Sequence, residues 1–185
     1  MRGAHPERDG SATPPTPAGR KRAGEEAGPY GSGRAGNLKG TTMPTTMTAT
    51  KDVLHHTIER WNAHDREGWA NAASPHLEVV VSGGAPLRGK DGARELYNIW
   101  TSAFPDNRVD VHLEVAEGPN GMQESHFRGT HTGTMRTPAG DIPATGKPVD
   151  IPFVGLMTVE DGKMASFRVY FDTADMMRQL GIASA

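Results

Sequence analysis

Between residues 50 and 104, apolar side chains recur at three- and four-residue spacing in three segments, and this period predicts helices. Proline ends the second and the third segment, because its ring cannot continue a helix. An apolar run between those two helices predicts a strand. The predicted elements are helices over 52–65, 66–74 and 89–104 and a strand over 76–83.

After Pro105 the hydrophobic period changes from about 3.6 to 2, which indicates strands. In the first of them Val109, Val111, Leu113 and Val115 alternate with polar residues, so the sequence predicts a half-buried strand with these four on one face. Glycine-containing turns separate the strands that follow. The predicted elements are strands over 108–117 and 122–135, a loop over 136–148, a hairpin over 149–172 and a helix over 173–181.

This order of elements predicts an α+β fold. Helices followed by a meander of antiparallel strands favour a curved, mostly antiparallel sheet wrapped around three N-terminal helices, as a barrel or cone, with a short C-terminal helix. The mouth of such a cone can hold a small ligand.

The composition changes near residue 46. Residues 1–46 are rich in Gly, Pro, Ser and Thr and have almost no large apolar side chains, so we expect a disordered tail there and a folded domain over 47–185. Native translation could start at Met1, Met43 or Met47, and the sequence leaves these alternatives open.

Cysteine and charge content exclude several classes of function. The chain has no cysteine, which excludes disulfides, thiolate metal sites and cysteine nucleophiles. Its formal net charge of -2 gives no indication of a nucleic-acid partner. No apolar run approaches the roughly 20 residues of a membrane span. We therefore expect a cytoplasmic protein without a nucleic-acid or membrane partner.

The last predicted strand combines a polar row with an apolar row, because successive side chains of a strand point to opposite faces. The polar row could face solvent, or it could line a pocket while the apolar row packs against a second subunit, and composition does not choose between them. The polar row is Ser166, Arg168, Tyr170 and Asp172, and the apolar row is Phe167, Val169 and Phe171.

Asp172 stands where this strand meets the last helix, and two roles suit it. It could cap the helix, with Asp175 three residues on in an arrangement like a capping box. It could also be a carboxylate in an apolar cavity, where burial raises the pKa and favours proton transfer. The two roles are compatible only if the cap faces a pocket.

Other side chains offer weaker candidates for chemistry. His126 and His131 lie on one predicted strand, and Trp61 and Trp100 are candidates for the wall of a pocket. We find no His-x-His, HExxH or carboxylate cluster with metal-ligand spacing, so no metal site is predicted. A Gly-x-Ser-x-Gly nucleophile elbow is also absent.

Four stretches together resemble the SnoaL-like polyketide cyclase family, which shares the cone fold of the nuclear transport factor and ketosteroid isomerase. The resemblance covers roughly residues 50–181. The stretches are IERWNAHD (58–65), GTHTG (129–133), IPATGKPV (142–149) and VEDGKMASFRVYFDTADMMRQLG (159–181).

The resemblance implies an intramolecular aldol ring closure that needs neither a cofactor nor a metal. Asp172 matches the aspartate that acts as general acid/base in the family. The strand before it carries no histidine, so a polar helper in substrate binding would come from Tyr170, Arg168, His126 or His131.

The fold also implies the kind of partner and two other functions. We expect a small apolar or aromatic ligand and a homodimer formed through the sheet. One alternative is a ligand-binding or scaffolding member whose pocket has lost its chemistry. Another is an epoxide hydrolase, which needs an Asp-Arg-Asp arrangement in the cone.

Overall fold

The computed structural model describes residues 45–82, 84–137 and 140–182. The predicted tail lies outside the described residues, except that Thr45 and Thr46 begin the first helix. The elements are α1 (Thr45–Asn62), α2 (Arg66–Asn71), β1 (Ala73–Val81), β2 (Leu87–Arg88), α3 (Gly89–Ala103), β3 (Arg108–Glu117), β4 (Asn120–Thr130), β5 (Met135–Thr137), β6 (Gly140–Ile142), β7 (Pro148–Glu160), β8 (Lys163–Phe171) and α4 (Thr173–Gln179).

Six strands form one curved, open sheet in the order β2-β1-β8-β7-β4-β3. All neighbours are antiparallel except β1 and β8, which run parallel. The short strands β5 and β6 pair with each other in a separate hairpin. The predicted α+β class, with its mostly antiparallel sheet and few helices, is confirmed.

The first strand begins earlier than predicted and includes Pro75, which we expected to end a helix and precede the strand. The ladder between β1 and β8 is interrupted between Ala73 and Glu78. Pro75, which has no N–H to donate, therefore lies where the ladder makes no regular pair.

Helices α1, α2 and α3 cover one face of the sheet with aromatic side chains. The ring of Trp61 lies 5.2 Å from that of Trp69 and 5.1 Å from that of Tyr97, both in edge-to-face geometry. Helix α1 approaches β4 closely at Gly121, where an added Cβ would lie 2.6 Å from Leu54 Cδ1. The inner face of the sheet and the three helices thus share one apolar core.

A bulge in β3 divides the apolar row that the alternation predicted. The register between β3 and β4 shifts between Val111 and Leu113, and an extra residue there turns the following side chains to the opposite face. Val109 is accordingly buried, whereas Leu113 and Val115 are each 47% exposed on the outer face. The prediction that these valines and the leucine share one buried face is wrong.

His131 anchors the segment between β4 and β7. Its side chain is fully buried, its ring lies 5.1 Å from that of Phe104, and its Nδ1 accepts a hydrogen bond of 3.3 Å from the amide of Thr145. No group among the described residues hydrogen-bonds to its Nε2. Burial lowers the pKa of His131 from its ordinary value of 6.5, because the charged imidazolium would lose its water.

This burial predicts a loss of stability in mild acid. The unfolded chain protonates His131 as the pH falls through about 6.5, whereas the folded chain keeps the ring neutral to lower pH. The unfolded state therefore binds more protons in that window, and we expect the free energy of unfolding to fall as the pH drops from 7 to 5. Urea denaturation at several pH values measures this slope.

Two variants isolate the contribution of His131 to that slope. His131→Asn should flatten it by up to about 1.4 kcal/mol per pH unit, the limit for one proton. His76→Asn is the matched control, because His76 is exposed on β1 and its loss should leave the slope unchanged. An equal slope in His131→Asn and in the unsubstituted protein would contradict the assignment.

Candidate functional site

The helices and the inner face of the sheet enclose an apolar cavity of about 70 Å³. Thirteen of its fourteen lining residues are apolar or aromatic, and the exception is Gln123. All three tryptophans of the chain belong to this wall. The lining residues are Ile58, Trp61, Trp69, Val81, Leu96, Trp100, Val109, Gln123, Phe127, Ile151, Phe153, Phe167, Val169 and Phe171.

Strand β8 contributes its apolar row to this cavity. Phe167, Val169 and Phe171 all line it. Phe167 contacts the ring of Trp69 at 5.9 Å, and Phe171 contacts that of Trp100 at 5.7 Å. The apolar row of the last strand is therefore covered by helices of the same chain.

The polar row of β8 points away from the cavity. Arg168 and Tyr170 lie on the outer face of the sheet, where Tyr170 is 51% exposed. The alternative in which the polar row lines a pocket and the apolar row packs against a second subunit is therefore wrong. The apolar row faces the cavity, and the polar row faces outward. The physical reason is that the aromatic rings of α2 and α3 pack against phenylalanines, and strand alternation then turns Arg168 and Tyr170 outward.

Asp172 caps α4. Its Oδ1 accepts hydrogen bonds from the backbone amides of Ala174 at 2.9 Å and Asp175 at 3.0 Å, and its side chain is exposed. This geometry confirms the capping interpretation. The carboxylate is not among the groups that line the inner cavity.

A second cavity, of about 310 Å³, adjoins the first at the mouth of the cone. It lies between β1, α3, β5 and α4 and shares four lining residues with the inner cavity: Val81, Leu96, Trp100 and Phe171. Thr173, the first residue of α4, also lines it. Asp172, between Phe171 and Thr173 in the chain, does not itself line this cavity.

A chain of polar contacts connects Gln123 in the cavity wall to the surface of α1. Gln123 Nε2 donates to Glu114 Oε2 at 2.9 Å, and His55 Nε2 lies 3.0 Å from Glu114 Oε1. Neither Glu114 nor Gln123 was predicted as a site residue. An unbroken two-residue period puts Glu114 on the polar outer face, and only the bulge in β3 turns it inward.

The other predicted polar residues lie away from the cavity. His126 contacts Asp150 on the outer face of the sheet, and His131 is packed in the core against Phe104. Trp61 and Trp100, in contrast, line the cavity as predicted candidates for its wall.

An Asp-Arg-Asp arrangement exists, but on the outer face. Arg128 donates from Nη1 to Asp110 at 2.8 Å and from Nε to Asp150 at 3.0 Å. Hydrogen bonds from His126 and then Arg128 lower the pKa of Asp150, and one from Arg108 lowers that of Asp110. These carboxylates are stabilised as anions in a surface network and do not face the cavity.

The described residues also lack two other kinds of feature. They contain no group of three or more His, Cys, Asp or Glu side chains that could hold a metal ion. None of their helices is both long enough and apolar enough to cross a membrane.

Comparisons with solved structures find the same fold. A proposed SnoaL-like polyketide cyclase from Jannaschia sp. CCS1 is 22% identical, with 79% of this chain and 100% of that chain covered and a TM-score of 0.69. IdmH, a proposed polyketide cyclase from Streptomyces antibioticus, is 23% identical over 71% and 98%, with a TM-score of 0.59. An LEH-like epoxide hydrolase from M. tuberculosis is 19% identical over 72% and 90%, with a TM-score of 0.57. At these identities the likeness shows the fold alone.

A comparison with curated proteins gives no match. The sequence profile of the family described as SnoaL-like polyketide cyclase matches residues 51–180, which is most of the chain and nearly all of the described domain. The chain therefore belongs to the SnoaL-like polyketide cyclase family.

Proposed function

We propose that the cone binds a small, largely apolar ring compound, which enters through the mouth cavity and reaches the inner cavity. The observation that carries this proposal is the apolar and aromatic lining, in which Gln123 is the single polar residue among those that the structure describes. Ligand sites of this kind are mostly apolar, with a few placed polar groups that set orientation. The adjoining mouth, at about 310 Å³, provides the room that the inner cavity lacks.

The chemistry proposed for this ligand is the intramolecular aldol closure that the family resemblance implies. Asp172 removes a proton from a carbon between two carbonyls, the enolate carbon bonds to a carbonyl carbon of the same molecule, and Asp172 returns the proton to the resulting alkoxide. Family membership supports this proposal. Asp172 itself lines neither cavity, and its neighbours in the chain, Phe171 and Thr173, line the second one. Within the described residues its Oδ2 makes no hydrogen bond.

Epoxide hydrolysis is not proposed. The fold likeness to an epoxide hydrolase stands. The Asp110–Arg128–Asp150 set, however, lies on the outer face of the sheet, where a ligand in the cone cannot reach it.

The second partner we propose is another copy of this chain, docked on the outer face of the sheet. Leu113 and Tyr170 lie in one cross-strand row, and Val115 and Leu156 lie in the next. All four are between 39% and 51% exposed. Glu124 lies between Leu113 and Val154 in the first row, and Met122 lies between Val115 and Leu156 in the second. Exposed apolar side chains gathered on one sheet face favour docking of a partner.

Binding in the cone predicts a sharp difference between two valine substitutions. Val169→Phe fills the inner cavity and should weaken naphthalene binding by roughly tenfold or more, measured by calorimetry or by tryptophan fluorescence. Val115→Phe adds the same ring on the outer face and should bind as the unsubstituted protein does. Equal naphthalene affinity in both variants, with circular dichroism showing both folded, would place the ligand elsewhere.

The acid/base role predicts a difference between Asp172→Asn and Asp172→Ala. Asparagine keeps the cap but not the base, so the thermal midpoint should hold while catalysed deuterium exchange at the methylene of ethyl benzoylacetate falls by about a hundredfold or more. Alanine should lose both the exchange and about 1 kcal/mol of stability. Exchange at the full rate in Asp172→Asn would leave Asp172 as a cap only.

Docking of a second copy predicts a dimer that a charge on the patch disrupts. Light scattering at tens of micromolar should give twice the chain mass for the unsubstituted protein and a monomer mass for Leu156→Arg. Asn98→Arg is the matched control. Asn98 is exposed on α3, away from the proposed interface, so this variant should still give the dimer mass. A monomeric unsubstituted protein at that concentration would refute the docking surface.

A further inference from the structure

Gln123 lines the inner cavity, and one end of its amide is held by Glu114. Its Nε2 donates to Glu114 Oε2 at 2.9 Å. An ionised carboxylate accepts hydrogen bonds and cannot donate them, so the amide nitrogen must be the end that faces Glu114. The other end of the amide is the oxygen, Oε1, and Gln123 is the polar residue among the described residues that line the cavity.

Glu114 is itself held in place. Its Oε1 lies 3.0 Å from His55 Nε2 on α1, so both carboxylate oxygens are engaged. The side chain of Glu114 is 12% exposed, whereas that of His55 is 65% exposed. The carboxylate thus links the outer surface of α1 to the cavity wall and prevents the amide of Gln123 from flipping.

Another polar group on the same strand, the hydroxyl of Ser125, has no partner among the described residues. Ser125 follows Gln123 by two residues, so both side chains point to the inner face of β4, about 7 Å apart along the strand. Ser125 is fully buried, and its Oγ makes no hydrogen bond with the described residues. A buried polar atom without a partner is rare in folded proteins and requires an explanation.

We propose that the ligand of the cone carries a phenolic or enolic hydroxyl that donates a hydrogen bond to Gln123 Oε1, and that Glu114 is the positioning residue that keeps this oxygen turned toward the cavity. This rests on the proposed function, because it requires a ligand in the inner cavity. An ether or ester oxygen at that position has no hydrogen to donate, so it could not form a hydrogen bond with Gln123 Oε1, which is also an acceptor. The site therefore selects hydroxyl over its alkylated forms.

Three probes of similar size test this selectivity by calorimetry: 4-propylphenol, 4-propylanisole and propylbenzene. Each has a ring and a short chain, and only the phenol can donate a hydrogen bond. The unsubstituted protein should bind the phenol roughly five- to tenfold more tightly than the anisole, which is the effect of one neutral hydrogen bond.

The variants separate the positioning role from a general loss of structure. Gln123→Met and Glu114→Ala should both reduce the ratio of the two affinities to about one, because the oriented acceptor is gone. Their affinity for propylbenzene should change little. Glu124→Ala is the matched control, because Glu124 neighbours Gln123 on the outer face and its loss should leave the ratio as it is.

Each outcome has a distinct meaning. Preference for the phenol, lost in Gln123→Met and in Glu114→Ala but kept in Glu124→Ala, supports the proposal. Equal binding of all three probes by the unsubstituted protein overturns it while leaving the apolar cavity as a binding site. A preference that survives Glu114→Ala overturns the role of Glu114. Failure of every probe to bind overturns the proposed function itself.

Discussion

The packing of Phe167 and Phe171 against tryptophans of the helices is the contact on which the rest of the architecture depends. Phe167 meets Trp69 and Phe171 meets Trp100, so the last long strand is fixed with its apolar row toward the helices. Side chains of a strand alternate, and this choice of face therefore sends Arg168 and Tyr170 to the outer surface. A slip of one residue would reverse every side chain of β8.

That constraint makes the interior of the cone apolar. The strand that the family resemblance singles out for chemistry supplies only hydrophobic side chains to the inner cavity. Among the described residues, the polar group of the lining is Gln123 of β4, which Glu114 of β3 holds by a hydrogen bond. Ser125 of β4 is buried nearby without a partner and does not line the cavity. Asp172 lines neither cavity and caps α4 with an exposed carboxylate. The wall that orients a ligand and the proposed base are thus provided by different elements.

The fold was predictable because its signals are local. The change of period after Pro105 and the Asp-Gly turn at 161–162 indicated the order of helices and strands, and capping of the last helix was one of two roles predicted for Asp172. The direction of the polar row was not predictable. Alternation gives two faces, and which one is buried depends on partners from α2 and α3 that are distant in the sequence.

The candidate site was harder to predict for a related reason. The bulge in β3 turns Glu114 inward and Leu113 outward, and no glycine or proline in the strand signals it. Gln123 and Ser125 lie on a strand whose polar residues show no pattern that tells the inner face from the outer one. Trp61 and Trp100, which were predicted for the wall, are large side chains that a cavity of this fold requires.

The most direct test of an apolar, ligand-binding interior is a titration of the isotopically labelled protein with naphthalene, followed through indole N–H resonances by nuclear magnetic resonance. Trp61, Trp69 and Trp100 all line the inner cavity. Their three signals should shift together and saturate, while the amides of Leu113 and Tyr170 on the outer face stay unchanged. Saturable shifts confined to the outer face, with the indoles unmoved, would contradict the account.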